Sequence, residues 1–424
     1  MPAASPPANA NDDKHDNTIS KNNASENIVT ENIVTENSVS QNMNAESIVA
    51  QNIDAENVAA AQGDAVLLDI ESLSLCAGQE CVLKGMSLQV YAGEIICLLG
   101  PSGCGKTTTL RAIAGFVQPA QGSISIANQT VASPNIMTPP EKRQVGMIFQ
   151  DHALFPHLTV KENIGFGLTK LSRETQKKRI DHYMHLVQIE ALGDKYPHEL
   201  SGGQQQRVAV ARALAPHPRL LLMDEPFSNL DVNLRKQMQR QLQEVLRKEG
   251  ITAIMVTHDQ EESFAMADRV ALLSDGKLQQ IGSPYKLYHE PANRIVASFI
   301  GLGSFINATV QDAHHLETEA GIIASSESLS WSKGHEVELL LRPDDILPNP
   351  DSTLKARVAH KVFKGAATLY RITLSRGTPL EVIFPSHFDY NIGDEIGIEV
   401  EADHVVTFEK SSPVHNRTFY PKEP

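Results

Sequence analysis

The stretch GPSGCGKTT, residues 100–108, combines glycines with one lysine and two threonines at a spacing that suits phosphate binding. It follows the apolar run EIICLL and precedes a helical pattern, which is the strand–loop–helix context expected for G-x-x-x-x-G-K-[ST]. In such a loop, glycines let backbone N–H groups curl around an anion, and the N-terminus of the next helix adds partial positive charge. The residues predicted to form this cradle are Gly100, Pro101, Ser102, Gly103, Cys104, Gly105, Lys106, Thr107 and Thr108.

Four side chains have separate predicted tasks around the cradle. Lys106 is expected to reach the β- and γ-phosphates of a nucleotide, and Thr107 to place its hydroxyl on Mg²⁺. The run LLLMDEP, residues 220–226, predicts a buried strand that ends in two acids. Asp224 would face the Mg²⁺ from the carboxyl end of that strand, and Glu225 could polarise an attacking water as general base.

A second glycine pair lies in LSGGQQQR, residues 200–207, which resembles the signature sequence of the ATP-binding-cassette ATPases. Three further stretches resemble motifs of that family and follow its order along the chain. Gln150 in GMIFQ resembles the Q-loop glutamine, SNLD at residues 228–231 resembles the D-loop, and His258 in MVTHD resembles the switch histidine. The resemblance covers roughly residues 66–301.

The resemblance implies a dimer of identical chains, packed head to tail around two ATP molecules with Mg²⁺. Gln150 would join Thr107 and Asp224 at the metal, and Glu225 with His258 would support hydrolysis. Asp231 would couple the two sites across the dimer. The residues implied to close on the γ-phosphate held by the partner's cradle are Ser201, Gly202, Gly203 and Gln204. The glutamines would begin a helix whose polar face meets ATP and the partner.

One departure from the family pattern lies in LSLCAGQECVL, residues 73–83. The family usually stacks adenine on an aromatic residue there, whereas this stretch offers Leu75, Cys76 or Ala77. Base stacking would therefore be weaker or supplied elsewhere. The chain has four cysteines, and their spacing does not match paired zinc ligands. Free thiols in a reducing cytoplasm are expected for Cys76, Cys81, Cys97 and Cys104.

The elements that must position these residues can be read from periodicity. From about Val66, short apolar runs alternate with helical patterns, which predicts a mostly parallel sheet covered on both faces. The fold class predicted is α/β, and the resemblance described above implies a P-loop NTPase of the ATP-binding-cassette type. After residue 303, strand patterns separated by turn signals predict a small all-β, OB-like domain, which the resemblance implies to be of the TOBE type. The predicted domains are residues 63–303 and 304–424.

Residues 1–62 differ from the rest of the chain. From Glu26 they repeat every five residues, as in ENIVT, and a period of five matches neither helix nor strand. The pattern faintly resembles pentapeptide-repeat solenoids, but Glu occupies the place of a small residue. Nine acidic against two basic residues give this segment a net charge of −7, half of the chain's −14. A disordered, acidic, low-complexity tail is predicted.

Composition excludes several classes of protein. The net charge of −14 argues against a nucleic-acid binder, for which a basic balance is expected. The sequence contains no apolar run near the roughly 18 residues that cross a bilayer, so a channel or permease is not expected. The start of the chain does not read as a secretory signal.

The appended β-domain, with LLLRPDDI at residues 339–346, makes the chain resemble ATPase subunits of bacterial importers. The implied partners are two integral-membrane permease subunits and, indirectly, a periplasmic substrate-binding protein, with the chain peripheral on the cytoplasmic face of the inner membrane. Local similarity favours ferric iron as cargo. Polyamines, sugars, sulfate or phosphonates remain alternatives, as does an ATP-driven clamp unrelated to transport.

Overall fold

The computed structural model describes residues 65–410, except residues 79, 152, 229 and 403. The predicted tail, residues 1–62, lies outside the described residues. The first eleven strands are β1 (Val66–Ala77), β2 (Glu80–Tyr91), β3 (Ile95–Leu99), β4 (Gln121–Ile126), β5 (Gln129–Ser133), β6 (Ile136–Met137), β7 (Val145–Ile148), β8 (Leu220–Asp224), β9 (Thr252–Val256), β10 (Arg269–Ser274) and β11 (Lys277–Gly282).

The described part of the chain has eight α-helices, all before the last ten strands. They are α1 (Lys106–Ala114), α2 (Val160–Gly165), α3 (Arg173–Leu186), α4 (Gly202–Leu214), α5 (Val232–Glu249), α6 (Gln260–Met266), α7 (Pro284–His289) and α8 (Arg294–Phe299). Among the described residues, no helix is long and apolar enough to span a bilayer.

A six-stranded sheet forms the centre of the first half. Its order is β11–β10–β3–β9–β8–β7, and all neighbours are parallel except β10 and β11. Every residue of β3, β8 and β9 is buried, as expected for parallel strands covered on both faces. Parallel strands place their carboxyl ends at one edge, so the loops after β3, β8 and β9 can meet there.

Alternate residues of β3 belong to two different hydrophobic cores. Ile95, Cys97 and Leu99 pack with the helical layer, whereas Ile96 and Leu98 pack with a second sheet and with α1. That second sheet is antiparallel, with the order β2–β1–β4–β5–β6. A sheet covered on both faces was expected, but this antiparallel sheet was not, because the pattern predicted mostly parallel strands that alternate with helices.

The second half contains only strands and one short 3₁₀ turn among its described residues. The strands are β12 (Ser304–Val310), β13 (His315–Thr318), β14 (Gly321–Ala324), β15 (Glu336–Leu341), β16 (Ile346–Pro348), β17 (Lys355–Phe363), β18 (Ala367–Leu374), β19 (Pro379–Pro385), β20 (Glu395–Val400) and β21 (Val406–Glu409). They form two five-stranded sheets, ordered β14–β13–β12–β15–β21 and β16–β20–β17–β18–β19, around one apolar core. The all-β C-terminal domain is confirmed.

One apolar run in this domain forms two strands rather than one. In EIGIEVEADHVVTFEK, residues 395–410, β20 pairs with β16 and β17, whereas β21 pairs with β15 in the other sheet. The chain crosses between the sheets at Glu401, whose N–H donates to the carbonyl oxygen of Asp345 at 2.8 Å.

Arg342, the arginine of the RPDDI turn, joins the two halves of the described chain. Its buried guanidinium donates to the carbonyl oxygens of Tyr288 and Ala297 at 3.0 and 3.1 Å, and to that of Leu302 at 3.0 Å. These acceptors lie at the ends of α7 and α8 and just beyond. The arginine therefore binds the β-domain to the end of the α/β half.

Candidate nucleotide-binding and catalytic site

The glycine-rich loop lies between the buried strand β3 and helix α1, as the motif requires. At Gly100 the backbone has φ +147°, and a Cβ there would lie 2.1 Å from the carbonyl oxygen of Leu273. Only glycine fits this approach between the loop and β10. Gly105 caps the N-terminus of α1 with φ +106°, so the first N–H groups of the helix face the loop.

Lys106 is the first residue of α1 and is 7% exposed. Its ammonium group donates to the carbonyl oxygens of Gly100 and Pro101 at 2.7 and 3.0 Å. Lysine is a flexible point charge with three donors, so the same group can contact phosphate oxygens bound within the loop.

Thr107 and Asp224 meet although they are far apart in sequence. The hydroxyl of Thr107 donates to Oδ1 of Asp224 at 2.9 Å. Burial raises the pKa of Asp224, and the hydrogen bond from Thr107 opposes this shift. A hydroxyl beside a carboxylate is an oxygen donor set of the kind that Mg²⁺ prefers, so these residues fit the metal that the motif implies.

Glu225 is placed by an unusual backbone conformation at the end of β8. It has φ +45°, which is uncommon for a residue other than glycine, and its N–H donates to the carbonyl oxygen of Val256 at 3.0 Å. The amide nitrogen of Gln150 lies 3.5 Å from one carboxylate oxygen, and Nδ1 of His258 lies 3.2 Å from the other. The residues of three predicted motifs are therefore brought together around one carboxylate.

The signature stretch is organised by its own helix cap. Ser201 caps α4, accepting from the N–H of Gln204 at 3.4 Å, while its own N–H donates to the side chain of Gln204 at 3.0 Å. Helix α4 therefore begins at Gly202, two residues before the expected glutamine. Gly202 is exposed, and a Cβ there would meet no described atom within 4 Å. Gly203 is buried against Leu234.

The expectation of a polar glutamine face that meets ATP and the partner is wrong for Gln206, which is fully buried. The amide of Gln205 donates to the carbonyl oxygens of Pro197 and Leu200 at 2.9 and 3.4 Å. The amide of Gln206 is buried and donates to the carbonyl oxygen of Pro226, just after the two acids. The amides of Gln205 and Gln206 therefore bind loops of their own chain.

Asp231 caps α5 by accepting from the N–H groups of Asn233 and Leu234, each at 3.1 Å. One turn later on α5, Nη1 of Arg235 lies 3.5 Å from Oδ2 of Asp259, the residue after His258. The buried Glu262 lies 3.6 Å from the same guanidinium. This link between the D-loop stretch and the histidine stretch was not predicted from the sequence, because a single arginine in a helix belongs to no recognisable motif.

The cysteine expectation is wrong for two of the four residues. Cys76 and Cys81 face each other in the register of β1 and β2 and form a disulfide. Cys97 and Cys104 are free thiols and are buried. Burial raises the pKa of the Cys104 thiol, which keeps it protonated at neutral pH. A five-residue separation across a hairpin was the signal available in the sequence.

Comparison with known proteins agrees with this architecture. Residues 83–228 match the ABC transporter family, and residues 339–408 match the TOBE domain. The chain is similar to the structure of cbiO1 from Clostridium perfringens, a part of the ABC transporter complex cbiONQ. The TM-score is 0.50 at 30% identity, over 54% of this chain and 92% of that one. The predicted fold class is confirmed.

Curated relatives are similar over most of their length. The spermidine/putrescine import ATP-binding protein PotA of Nitratidesulfovibrio vulgaris is 44% identical, over 71% of this chain and 84% of the relative. The protein of the same name from Pseudomonas fluorescens is 41% identical, over 75% and 90%. The Fe(3+) ions import ATP-binding protein FbpC of Fusobacterium nucleatum is 39% identical, over 81% and 94%.

Proposed function

The chain belongs to the ATP-binding proteins of ABC importers, and we propose that it hydrolyses ATP at the described site to drive transport through separate membrane subunits. The observation that carries this proposal is the cluster at the carboxyl edge of the central sheet. In this cluster, the hydroxyl of Thr107 is hydrogen-bonded to the carboxylate of Asp224. Glu225 is the next residue after Asp224, and its carboxylate contacts both Gln150 and His258.

In the proposed reaction, the loop of residues 100–108 binds the phosphates of ATP through its backbone N–H groups. Lys106 transfers its hydrogen bonds from loop carbonyls to phosphate oxygens. Thr107, Asp224 and Gln150 would hold Mg²⁺, which would supply positive charge beside the phosphates. Glu225 accepts a proton from the attacking water. His258 contacts the carboxylate of Glu225 and would hold it in position.

The site is proposed to be completed by a second copy of the chain. Ser201, Gly202, Gly203 and Gln204 of one copy would close on the γ-phosphate bound by the other, and Asp231 would couple the two sites. Gly202 is exposed, and a Cβ there would meet no described atom within 4 Å, which supports this role. Exposure allows the start of α4 to direct its N–H groups at an anion outside the protomer.

Two permease subunits are the proposed partners of this dimer, on the cytoplasmic face of the inner membrane, with a periplasmic binding protein delivering cargo to them. ATP-driven closure of the dimer would turn the permeases outward, and opening after hydrolysis would reset them. Residues 304–424 are proposed to support the dimer.

Polyamine is the proposed cargo, because relatives at 44% and 41% identity are named for spermidine/putrescine import. The expectation of ferric iron is not confirmed. It remains the second candidate because one relative at 39% identity is named for Fe(3+) import.

The test uses cells that lack this chain and measures uptake of radiolabelled spermidine and, separately, of ferric iron. Complementation with wild type should restore uptake of one cargo, and Glu225→Gln should not, since it keeps the shape of the site but removes the base. Glu244→Gln is the matched control, because Glu244 is exposed on α5. Uptake restored equally by Glu225→Gln and wild type would contradict the proposed chemistry.

A further inference from the structure

The disulfide between Cys76 and Cys81 lies near the closed end of the β1–β2 hairpin. The two residues are direct partners in the strand register, and both are partly exposed. Because the backbone pairing already holds the two residues close together, their sulfur atoms can meet in the folded chain. Partial exposure gives small thiols access to the sulfur atoms.

The same end of the hairpin is packed against the start of α1. The residue after Cys81, Val82, places its carbonyl oxygen 3.2 Å from the position of a Cβ on Gly105, the cap of the phosphate-binding helix. Two residues further on, the N–H of Lys84 donates to the carbonyl oxygen of Gly276 at 2.8 Å. The cysteine pair is thus one residue from a fixed contact with the glycine-rich loop.

We propose that Cys76 and Cys81 form a reversible thiol–disulfide modification site that sets the affinity of the neighbouring loop for adenine nucleotides. The inference rests on the proposed function, because it requires the loop of residues 100–108 to bind the phosphates of a nucleotide. A base attached to phosphates held there must extend beyond the loop. The hairpin end is a surface that lies against the loop, and residues 73–83 contain no aromatic side chain.

Sulfur at this surface is suited to contact with a base. Its polarisability favours contact with aromatic faces, and the contact is enough to change affinity by roughly two- to tenfold. In the disulfide, both sulfur atoms are held at one position on the hairpin. In the dithiol, each side chain rotates independently and the ordered sulfur surface is lost.

The proposed exchange uses a small-molecule disulfide as oxidant. The thiolate of one cysteine attacks it, releases one small thiol and forms a mixed disulfide. The thiolate of the second cysteine then displaces the other half as a second small thiol. The protein loses two electrons and two protons, and the small disulfide gains both. Disulfides of proteins in reducing compartments are usually transient or redox-sensing, which agrees with the cytoplasmic site proposed above.

The test measures binding of a ribose-labelled fluorescent ATP to the full chain, equilibrated with either reduced or oxidised glutathione. Peptide mass spectrometry without reductant follows the bond between Cys76 and Cys81. We expect reduction to weaken nucleotide binding by roughly two- to tenfold. Inorganic tripolyphosphate, which has no base, should compete equally well in both redox states.

Variants separate this pair from the other cysteines. A double Cys76→Ser, Cys81→Ser variant should bind ATP with the weaker affinity and show no redox response. Cys97→Ala should keep the response, because Cys97 is buried in the core of the central sheet. Cys104 lies in the loop itself, so its oxidation would change tripolyphosphate binding as well.

Several results would overturn the inference. The first is that Cys76 and Cys81 stay reduced in oxidised glutathione, and the second is that the reduced and oxidised chains bind ATP with equal affinity. The third is that the change in affinity on reduction persists in the double variant or also occurs for tripolyphosphate. A wild-type chain that binds no nucleotide in either state would instead contradict the proposed function, on which this inference depends.

Discussion

Substitution of Gly202 by alanine tests the role proposed for the signature stretch, because it should change ATP hydrolysis without lowering the stability of the chain. In its own chain, a Cβ at Gly202 would meet no described atom within 4 Å. The residue is the first of α4, and its φ is not positive, so alanine can adopt the same backbone conformation. No described contact within the protomer, and no backbone angle, therefore requires a glycine at this position.

The expected effect on stability is small and favourable. Alanine is preferred over glycine by up to about 1 kcal/mol inside a helix, and the gain at a first helical residue is smaller, about 0.5 kcal/mol. The effect on hydrolysis should be large. If the N–H groups at the start of α4 approach a phosphate held by a second copy, a methyl group on this surface would keep those N–H groups away from the phosphate. Loss of one such donor costs about 100-fold in rate.

The assay compares three properties of Gly202→Ala and wild type: urea unfolding, binding of fluorescent ATP, and steady-state ATPase activity. Unfolding and ATP binding should match wild type, whereas ATPase activity should fall about 100-fold. Gly203→Ala is the matched control, because its Cβ would lie 2.6 Å from a side-chain carbon of Leu234 and should lower stability measurably. Unchanged ATPase activity in Gly202→Ala would refute the reasoning. Loss of ATP binding would show that the residue acts within its own chain.

Three further predictions follow from the described contacts. Arg342→Met should lower the free energy of unfolding by about 3 kcal/mol, since it removes the hydrogen bonds from a buried guanidinium to the carbonyl oxygens of Tyr288, Ala297 and Leu302. In the same urea unfolding experiment, Arg357→Met should cost under about 1 kcal/mol, because Arg357 is exposed, and equal losses would contradict the role of Arg342. Burial raises the pKa of Asp224, so acidification protonates this carboxyl group sooner than an ordinary aspartate. The Mg²⁺ concentration for half-maximal ATPase activity should therefore rise as the pH is lowered from neutrality, and a flat profile would count against metal binding by Asp224. Deletion of residues 1–60 should leave ATPase activity nearly unchanged, and a severalfold loss in a purified-protein assay would assign the tail a regulatory role.

Much of the site could be predicted from the sequence because its motifs are short and their chemistry is specific. The contact between Thr107 and Asp224 follows from a strand–loop–helix pattern and a second strand that ends in acids. The positions of Gln150 and His258 beside Glu225 followed only from a family resemblance, since neither residue has a local pattern that indicates its neighbour.

The features that could not be predicted depend on pairing between distant segments. Periodicity predicted the central parallel sheet but not the antiparallel sheet beside it, whose strand β1 pairs with both β2 and β4. The roles of Gln205 and Gln206 depend on carbonyl groups in loops whose positions only the fold sets. The disulfide required knowledge of which residues oppose each other in a hairpin with register shifts.

The pairing of β15 with β21 has a consequence for folding during synthesis. Strand β15 (Glu336–Leu341) is buried between β12 and β21, and β21 ends at Glu409. At the usual speed of translation, the ribosome needs on the order of 3 to 15 s to make the residues between the two strands. During that interval, the apolar edge of β15 is open to pairing with another nascent chain. A chaperone that covers this edge would be needed most by a cell that translates slowly.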